Sequence, residues 1–151
     1  MAHLVMQEMH TITAKIGVGS EEMAVFGAGI DNMQEQLNEV VQQYKFMSDG
    51  GYSRSRVTAM APVWTFSGRR IFGDAAQDYI CSDTVKYNFG AARETTMEIT
   101  FTAGGYDYTI KADITIANVQ EFSGATEEAS AFSCELHIDG KPTFTKTASS
   151  K

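Results

Sequence analysis

The chain has 151 residues, of which 43% are hydrophobic and 21% charged, and its formal net charge is -7. That is one domain, residues 1–151, long enough to bury a proper core. The acidity excludes a protein built to grip nucleic acid, which needs clustered Lys and Arg to displace counterions. No apolar stretch is long enough to span a bilayer. The opening MAHLVMQEMH lacks the basic start and apolar run of a signal peptide. Cys81 and Cys134 follow no metal-ligand spacing and read as buried free thiols, in keeping with synthesis in a reducing cytoplasm.

Taken in order, the chain reads as mostly β. His10 to Ile16 is a weak strand candidate. Gly17, Gly19, Gly27 and Gly29 read as turn residues, because neither G-x-G pair carries the third glycine or the lysine of a phosphate loop. Ile30, Met33, Leu37, Val40, Val41 and Tyr44 have the spacing of an amphipathic helix. Ser48 to Ser55, SDGGYSRS, is a flexible loop. Val57 to Phe66 is a strand in which Pro62 signals an edge or a bulge, with Trp64 a core residue. Next comes a strand–turn–helix joint, Ser67 to Ile80, SGRRIFGDAAQDYI. There Gly73-Asp74 opens a short helix, and Asp74 can accept from the free N–H groups of its first turn.

The clearest element is a hairpin around Ala103-Gly104-Gly105. Met97, Ile99 and Phe101 alternate with Thr96, Glu98, Thr100 and Thr102 on its first arm. Tyr106, Tyr108, Ile110, Ala112, Ile114 and Ile116 alternate with Asp107, Thr109, Lys111, Asp113 and Thr115 on its second. The alternation slips at Ala117-Asn118-Val119, which predicts a bulge or bend. Gln120 to Ser130 reads as a loop. Phe132, Cys134, Leu136 and Ile138 form the apolar face of the next strand. Asp139-Gly140 is a hairpin turn signal, followed by an edge strand from Pro142 through Phe144. Lys146 to Lys151 reads as a loose end.

The chemistry-bearing residues do not assemble into a site. His3, His10 and His137 are scattered, and His137 near Glu135 and Asp139 reads as a solvated polar face. Cys134 falls on an apolar strand face, where a thiol is unreactive. No G-x-S-x-G and no paired carboxylates stand out. Arg69 and Arg70, with Arg54, Arg56 and Arg93, are too spread for a nucleic-acid groove and read as salt-bridge partners. The methionines Met6, Met9, Met23, Met33, Met47, Met60 and Met97 read as filler for core and interface. The residues point to no catalytic group, no cofactor and no metal.

Two segments, Ser67 to Ile80 and Phe132 to Phe144, FSCELHIDGKPTF, resemble the corresponding parts of the major tail tube proteins of long-tailed bacteriophages, in the order that family has them. The resemblance implies a mainly β fold: a β-sandwich or partial barrel with one short flanking α-helix, completing a large β-barrel when a hexameric ring forms. It implies that residues 30–47 are extended, leading into a strand near Val40 to Met47. It implies a structural virion protein, whose stacked rings make the hollow tail tube through which DNA passes into the host. Such a protein is made in the host bacterial cytoplasm and located in the virion tail. Its partners are copies of itself and other tail proteins such as the tape measure, tail initiator and terminator. Double-stranded DNA is only a transient cargo, and no membrane insertion is involved. Contractile and non-contractile tails both remain open.

If each of six subunits gives four strands to an inner barrel, about 24 strands at roughly 4.8 Å give a diameter near 37 Å, and side chains leave room for a duplex. One strand face must then be wet. Glu98, Thr100, Thr102, Asp107, Thr109, Lys111 and Asp113 are the expected lumen-facing residues. Asp49, Gly50, Tyr52, Arg54 and Arg56 are the expected ring-stacking loop, which is short for this family; otherwise stacking falls to the termini or to Gln120 to Ser130. Gly73 and Asp74 are the helix cap and joint. The alternative is a monomeric β-sandwich binding module for a carbohydrate or receptor, which would favour exposed aromatics on one concave face; Tyr52, Tyr87, Tyr106 and Tyr108 are the candidates, although Tyr106 and Tyr108 fall on the expected core face. A small β-barrel enzyme is the weakest reading, for want of a residue constellation.

Overall fold

The computed structural model describes residues 6–19 and 22–148. Among these the strands are β1 Thr13–Gly19, β2 Glu22–Val25, β3 Ile30–Gln36, β4 Val40–Tyr44, β5 Arg54–Ala59, β6 Val63–Arg69, β7 Glu94–Ala103, β8 Tyr106–Gln120 and β9 Ala131–Ala148. Two short helices, α1 Ala75–Ile80 and α2 Asp83–Lys86, lie between β6 and β7. Seven strands form one antiparallel sheet in the order β2-β1-β7-β8-β9-β6-β3, while β4 and β5 pair only with each other. The fold is mainly β, as expected, and the single chain closes no barrel.

The outermost strands of the sheet, β2 and β3, are consecutive in the chain. Laid flat, six strand spacings would separate them by about 29 Å. The link 26–29 between them can reach no more than about 18 Å. The sheet must therefore curl around one of its faces. Phe26 in that link sits 4.8 Å from Phe66 of β6 and 6.1 Å from Phe132 of β9, ring centre to ring centre. The crossing is tight. A Cβ on Gly68 would lie 2.0 Å from the carbonyl oxygen of Gly29, so only glycine fits there.

The enclosed face holds most of the residues that alternation assigns to it, but toward the β7–β8 turn Phe101, Tyr108 and Ile110 are only half-buried and Tyr106 is exposed. Ile16, Met97, Ile114, Ile116, Cys134 and Leu136 are fully buried, beside Trp64, Phe66 and Phe132. Trp64 is a core residue whose Nε1 donates to Glu35 at 3.0 Å. Ala76 and Ile80 of α1 and Val85 of α2 complete the core. Asp74 caps α1 as read, its Oδ2 accepting from the Gln77 N–H at 3.1 Å.

Several expectations need correction. The helical spacing of 30–44 forms two strands, not a helix: only Ile30 and Met33 pack on the core, while Leu37, Val40, Val41 and Tyr44 are exposed. The extended reading holds. The strand expected over 57–66 is broken at 60–62, where β5 ends and β6 begins. The expected loop 48–55 is shorter, because Arg54 and Ser55 lie on β5. Gly17 and Gly19 lie within β1 rather than in turns.

The largest difference is at Asp139-Gly140, which makes no hairpin. Lys111 pairs with Thr143 and Asp113 with Asp139, so 140–142 bulge out against a single residue of β8 and β9 runs on to Ala148. Gly140 supplies the positive φ of 79° that a bulge needs as much as a turn does. The end expected to be loose is strand as far as Ala148; 149–151 lie outside the described residues. The bend at 117–119 is present, with Asn118 at φ 51° and a register shift between Ala117 and Gln120.

The two faces of the β7–β8 hairpin predict opposite responses to charge. Ile114 has no exposed surface, so Ile114→Asp buries an unpaired carboxylate and should cost on the order of 4 kcal/mol, unfolding the chain. Thr109→Asp on the other face should leave the thermal midpoint within a few degrees. Equal damage to both, read by circular dichroism melts, would reverse the face assignment.

Candidate functional site

Three surfaces stand out, and none has the form of a catalytic centre. The first is the outward face of the sheet. Glu98 pairs with Lys111, Thr100 with Thr109, and Thr102 with Asp107, so these residues share one side of the β7–β8 ribbon, and Asp113 joins them opposite Thr96. The side-chain hydroxyl of Thr102 donates to Asp107 at 2.6 Å. The face extends into neighbours that the sequence reading missed. Thr143, Thr145 and Thr147 of β9 lie opposite Lys111, Thr109 and Asp107, while Thr13 and Lys15 of β1 lie opposite Thr100 and Glu98. The alternation of threonines in 143–147 was a signal for them, masked by the supposed turn at Asp139-Gly140. Across the sheet Glu94, Glu98, Asp107, Asp113, Glu135 and Asp139 face Lys15, Lys111 and Arg69, so the surface is acidic overall.

His137, Glu135 and Asp139 lie on this face without forming a site. His137 Nε2 is 3.0 Å from Glu135, and Asp139 accepts from the Thr115 hydroxyl at 2.6 Å. Among the described residues no group of His, Cys, Asp and Glu is arranged to hold a metal ion.

The second surface is the β4–β5 arm. Every residue of both strands is exposed, in contrast to the main sheet. At its tip Asp49 accepts from Arg54 Nε and Nη2 at 2.9 and 2.8 Å, which closes the turn. Of the expected stacking residues, Asp49 and Arg54 are thus spent on each other, and Gly50 sits in the turn between them. Tyr52 projects with 81% of its surface exposed, and Arg56 is exposed on β5. The arm also displays Tyr44, Phe46, Met47 and Val57 to solvent.

The third surface surrounds the joint at the opposite end of the sheet. Gln77 is fully buried, its Nε2 donating to the carbonyls of Ala28 and Arg69 at 2.9 and 3.0 Å and its Oε1 accepting from the Ile71 N–H at 2.8 Å. One helical side chain thereby ties α1 to the β2–β3 link and to the end of β6. Gly73 contributes its N–H to Asp78 at 3.1 Å. Beside it lies a buried ion network: Glu121 accepts from Arg70 at 2.9 Å and from Lys86 at 2.8 Å, and Arg70 also reaches Asp78 at 3.0 Å. Arg69 donates to the Ala129 carbonyl and Arg93 to the Asn88 and Ile116 carbonyls. Of the five arginines expected to form salt bridges, Arg54 and Arg70 do so, Arg69 and Arg93 bond backbone carbonyls instead, and Arg56 is exposed.

Burial alone would raise the Glu121 carboxyl, but its bonds from Lys86 and Arg70 outweigh that and hold it below its ordinary value. The bond to Glu121 raises Lys86 in turn. Both cysteines are free, Cys134 buried as expected but Cys81 only half-buried; burial pushes the Cys81 thiol up to about 11 and Cys134 higher still, away from the reactive thiolate. A groove of about 600 Å³ and mixed polarity lies between β1 and β3, lined by Ile12, Phe26, Met33 and Phe66 with His10, Asp31 and Asn32. The four tyrosines of the binding-module reading do not converge: Tyr52 is at the arm tip, Tyr87 beyond α2, and Tyr106 and Tyr108 at the start of β8.

A depressed carboxylate stabilises the fold above its unfolded value, near pH 4.3, and that contribution is lost as pH falls through the folded value. Glu121→Gln should therefore cost about 3 kcal/mol at pH 7, since it leaves Arg70 and Lys86 without their buried counter-charge. The gap from the parent should shrink as pH falls below about 4. Urea melts at both pH values check this; a gap that does not change with pH would contradict it.

No protein-family model and no curated protein matches the sequence. The fold does match solved structures. A chain in the tail of an empty gene transfer agent particle, from a helical refinement in C6 symmetry, superimposes with a TM-score of 0.67, over 93% of this chain and 99% of that one, at 12% identity. A chain in the virion of a native gene transfer agent particle superimposes with a TM-score of 0.62 over the same shares at 11% identity. This chain shares the fold of those two gene transfer agent chains along nearly its whole length.

Proposed function

We propose that the chain is a structural tail tube subunit, which assembles with copies of itself into stacked hexameric rings around a channel for DNA. The observation that carries this reading is the β4–β5 arm. A lone two-stranded ribbon is marginal in water, and this one buries none of its residues within the subunit. It needs another molecule to cover it. The fold shared with gene transfer agent tails supplies the kind of assembly in which that molecule is a second copy.

The sheet fits the same purpose. Its inner face is spent on the core, and its outer face is polar and acidic from β1 across to β9. Carboxylates repel phosphates, and a wall without basic clusters offers no counterion release to trap a duplex. Glu98, Thr100, Thr102, Asp107, Thr109, Lys111 and Asp113 are proposed to line the lumen, with Thr143, Thr145 and Thr147 beside them. The arm, with Tyr52 and Arg56, is proposed to bridge rings. Tail initiator, terminator and tape measure proteins would bound such a tube at its ends and within it. The role is mechanical rather than catalytic, exercised in the virion after synthesis in the bacterial cytoplasm.

Negative-stain electron microscopy across a concentration series tests the reading. Annular particles or hollow filaments with six-fold end views are expected; uniform monomers at every concentration, even after addition of preformed tail ends, would overturn it. The lumen assignment has its own test. Glu98→Lys with Asp113→Lys should give tubes that retain a short DNA duplex at low salt and release it as salt rises. Identical co-sedimentation of DNA with parent and variant tubes would place these residues elsewhere.

A further inference from the structure

The two surfaces outside the sheet lie at opposite ends of it. The arm leaves where β3 ends and β6 begins, at the pairing of Val63 with His137. The joint, α2 and the loop 121–130 lie at the other end, where Arg69 pairs with Ala131. That far end carries a collar of exposed aromatics: Phe72, Tyr87, Phe89 and Phe122 are 73%, 72%, 87% and 70% exposed.

Three of the four rings lie against cations. The Arg70 guanidinium lies 4.1 Å from the Phe72 ring. Lys86 Nζ lies 5.0 Å from the Tyr87 ring and 4.8 Å from the Phe122 ring. Both cations are anchored on the buried carboxylate of Glu121. Rings fixed over anchored charges lose little freedom on binding, which is what makes exposed aromatics effective contact residues.

Charge completes the match. The arm, residues 37–60, carries Lys45, Arg54 and Arg56 against Glu39 and Asp49, so it is positive on a chain whose net charge is -7. The segments that carry the collar, α2 and the loop 121–130, also carry the exposed carboxylates of Asp83, Glu127 and Glu128. Arm against arm would set like charges together and close into a dimer. Arm against collar joins opposite charges and two different patches, and such a heterologous contact repeats without closing.

We infer that the arm of one copy docks on the Phe72–Tyr87–Phe89–Phe122 collar of a copy in the next ring. This rests on the tube reading above and names the partner surface of the arm. The loop 121–130 is thus the receiving side of the stacking contact, and the arm the donating side.

Reciprocal charge exchange tests it in the full-length protein. Lys45→Glu with Arg56→Glu alters only the arm, and Glu127→Lys with Glu128→Lys alters only the collar. All four residues are exposed, so melts by circular dichroism should match the parent. Each double variant should raise the concentration needed for tubes by about tenfold or more, as expected for interfacial charge pairs, while single rings still form. Combining all four substitutions should restore tubes at a concentration near that of the parent. An unchanged threshold in either double variant, or no recovery in the combination, would overturn this docking while leaving the tube reading intact. Loss of rings as well as tubes would assign the contact to neighbours within a ring, which also overturns it. Only failure of the parent chain to form rings or tubes would reject the tube reading itself.

Discussion

The link 26–29 constrains everything else in this molecule. It joins the two outermost strands of a seven-stranded sheet with too few residues to span that sheet laid flat. Curling is forced, and the face that curls inward becomes the core. Phe26 fills the inside of the crossing, Gly68 lets the backbones pass, and Gln77 bonds the underlying helix to both sides of it. Once the inward face is fixed, the period-two pattern of every strand decides which residues point out. The acidic outer face is therefore a consequence of the crossing as much as of the residues displayed on it.

A second consequence concerns what is left over. The curled sheet uses the apolar residues of seven strands in one core, yet the segment 37–60 contributes none of its side chains to it. Tyr44, Phe46, Met47, Tyr52 and Val57 remain in water, as do the aromatics around the joint. Single exposed apolar residues are ordinary, but clusters of them mark interaction surfaces, and here there is one at each end of the sheet. The buried Glu121 network links stability to the cluster at the joint, because the cations that satisfy Glu121 also lie against the rings of Phe72, Tyr87 and Phe122.

Much of this was legible in the sequence wherever the signal was local. The β7–β8 hairpin, the Asp74 cap and the apolar face Phe132–Cys134–Leu136–Ile138 follow from patterning and capping chemistry within a few residues of one another. The misses arose where distant partners decide. Asp139-Gly140 has the composition of a hairpin turn, but the extended first half of β8 was available to pair with 143–148, so the chain bulged and ran on. The helical spacing of Ile30 to Tyr44 was equally misleading: a register shift between Ile30 and Asn32 lets Ile30 and Met33 both reach the core from a strand, and the arm beyond, which packs on nothing within the chain, need not show strand alternation. Here resemblance gave the extended form that periodicity did not. The Glu121–Arg70–Lys86 network joins residues 35 and 51 positions apart, a separation that leaves no local trace.

The central claim is that this subunit is finished only by copies of itself, and above all that its arm is. Amide hydrogen exchange of the isolated chain compared with the assembled protein reads this directly. The account predicts fast exchange over Val40–Tyr44 and Arg54–Ala59 in the isolated subunit, slow exchange in Met97–Ile116 throughout, and strong protection of the arm on assembly. An arm that is already protected in the monomer, or that stays unprotected in the assembly, would contradict it.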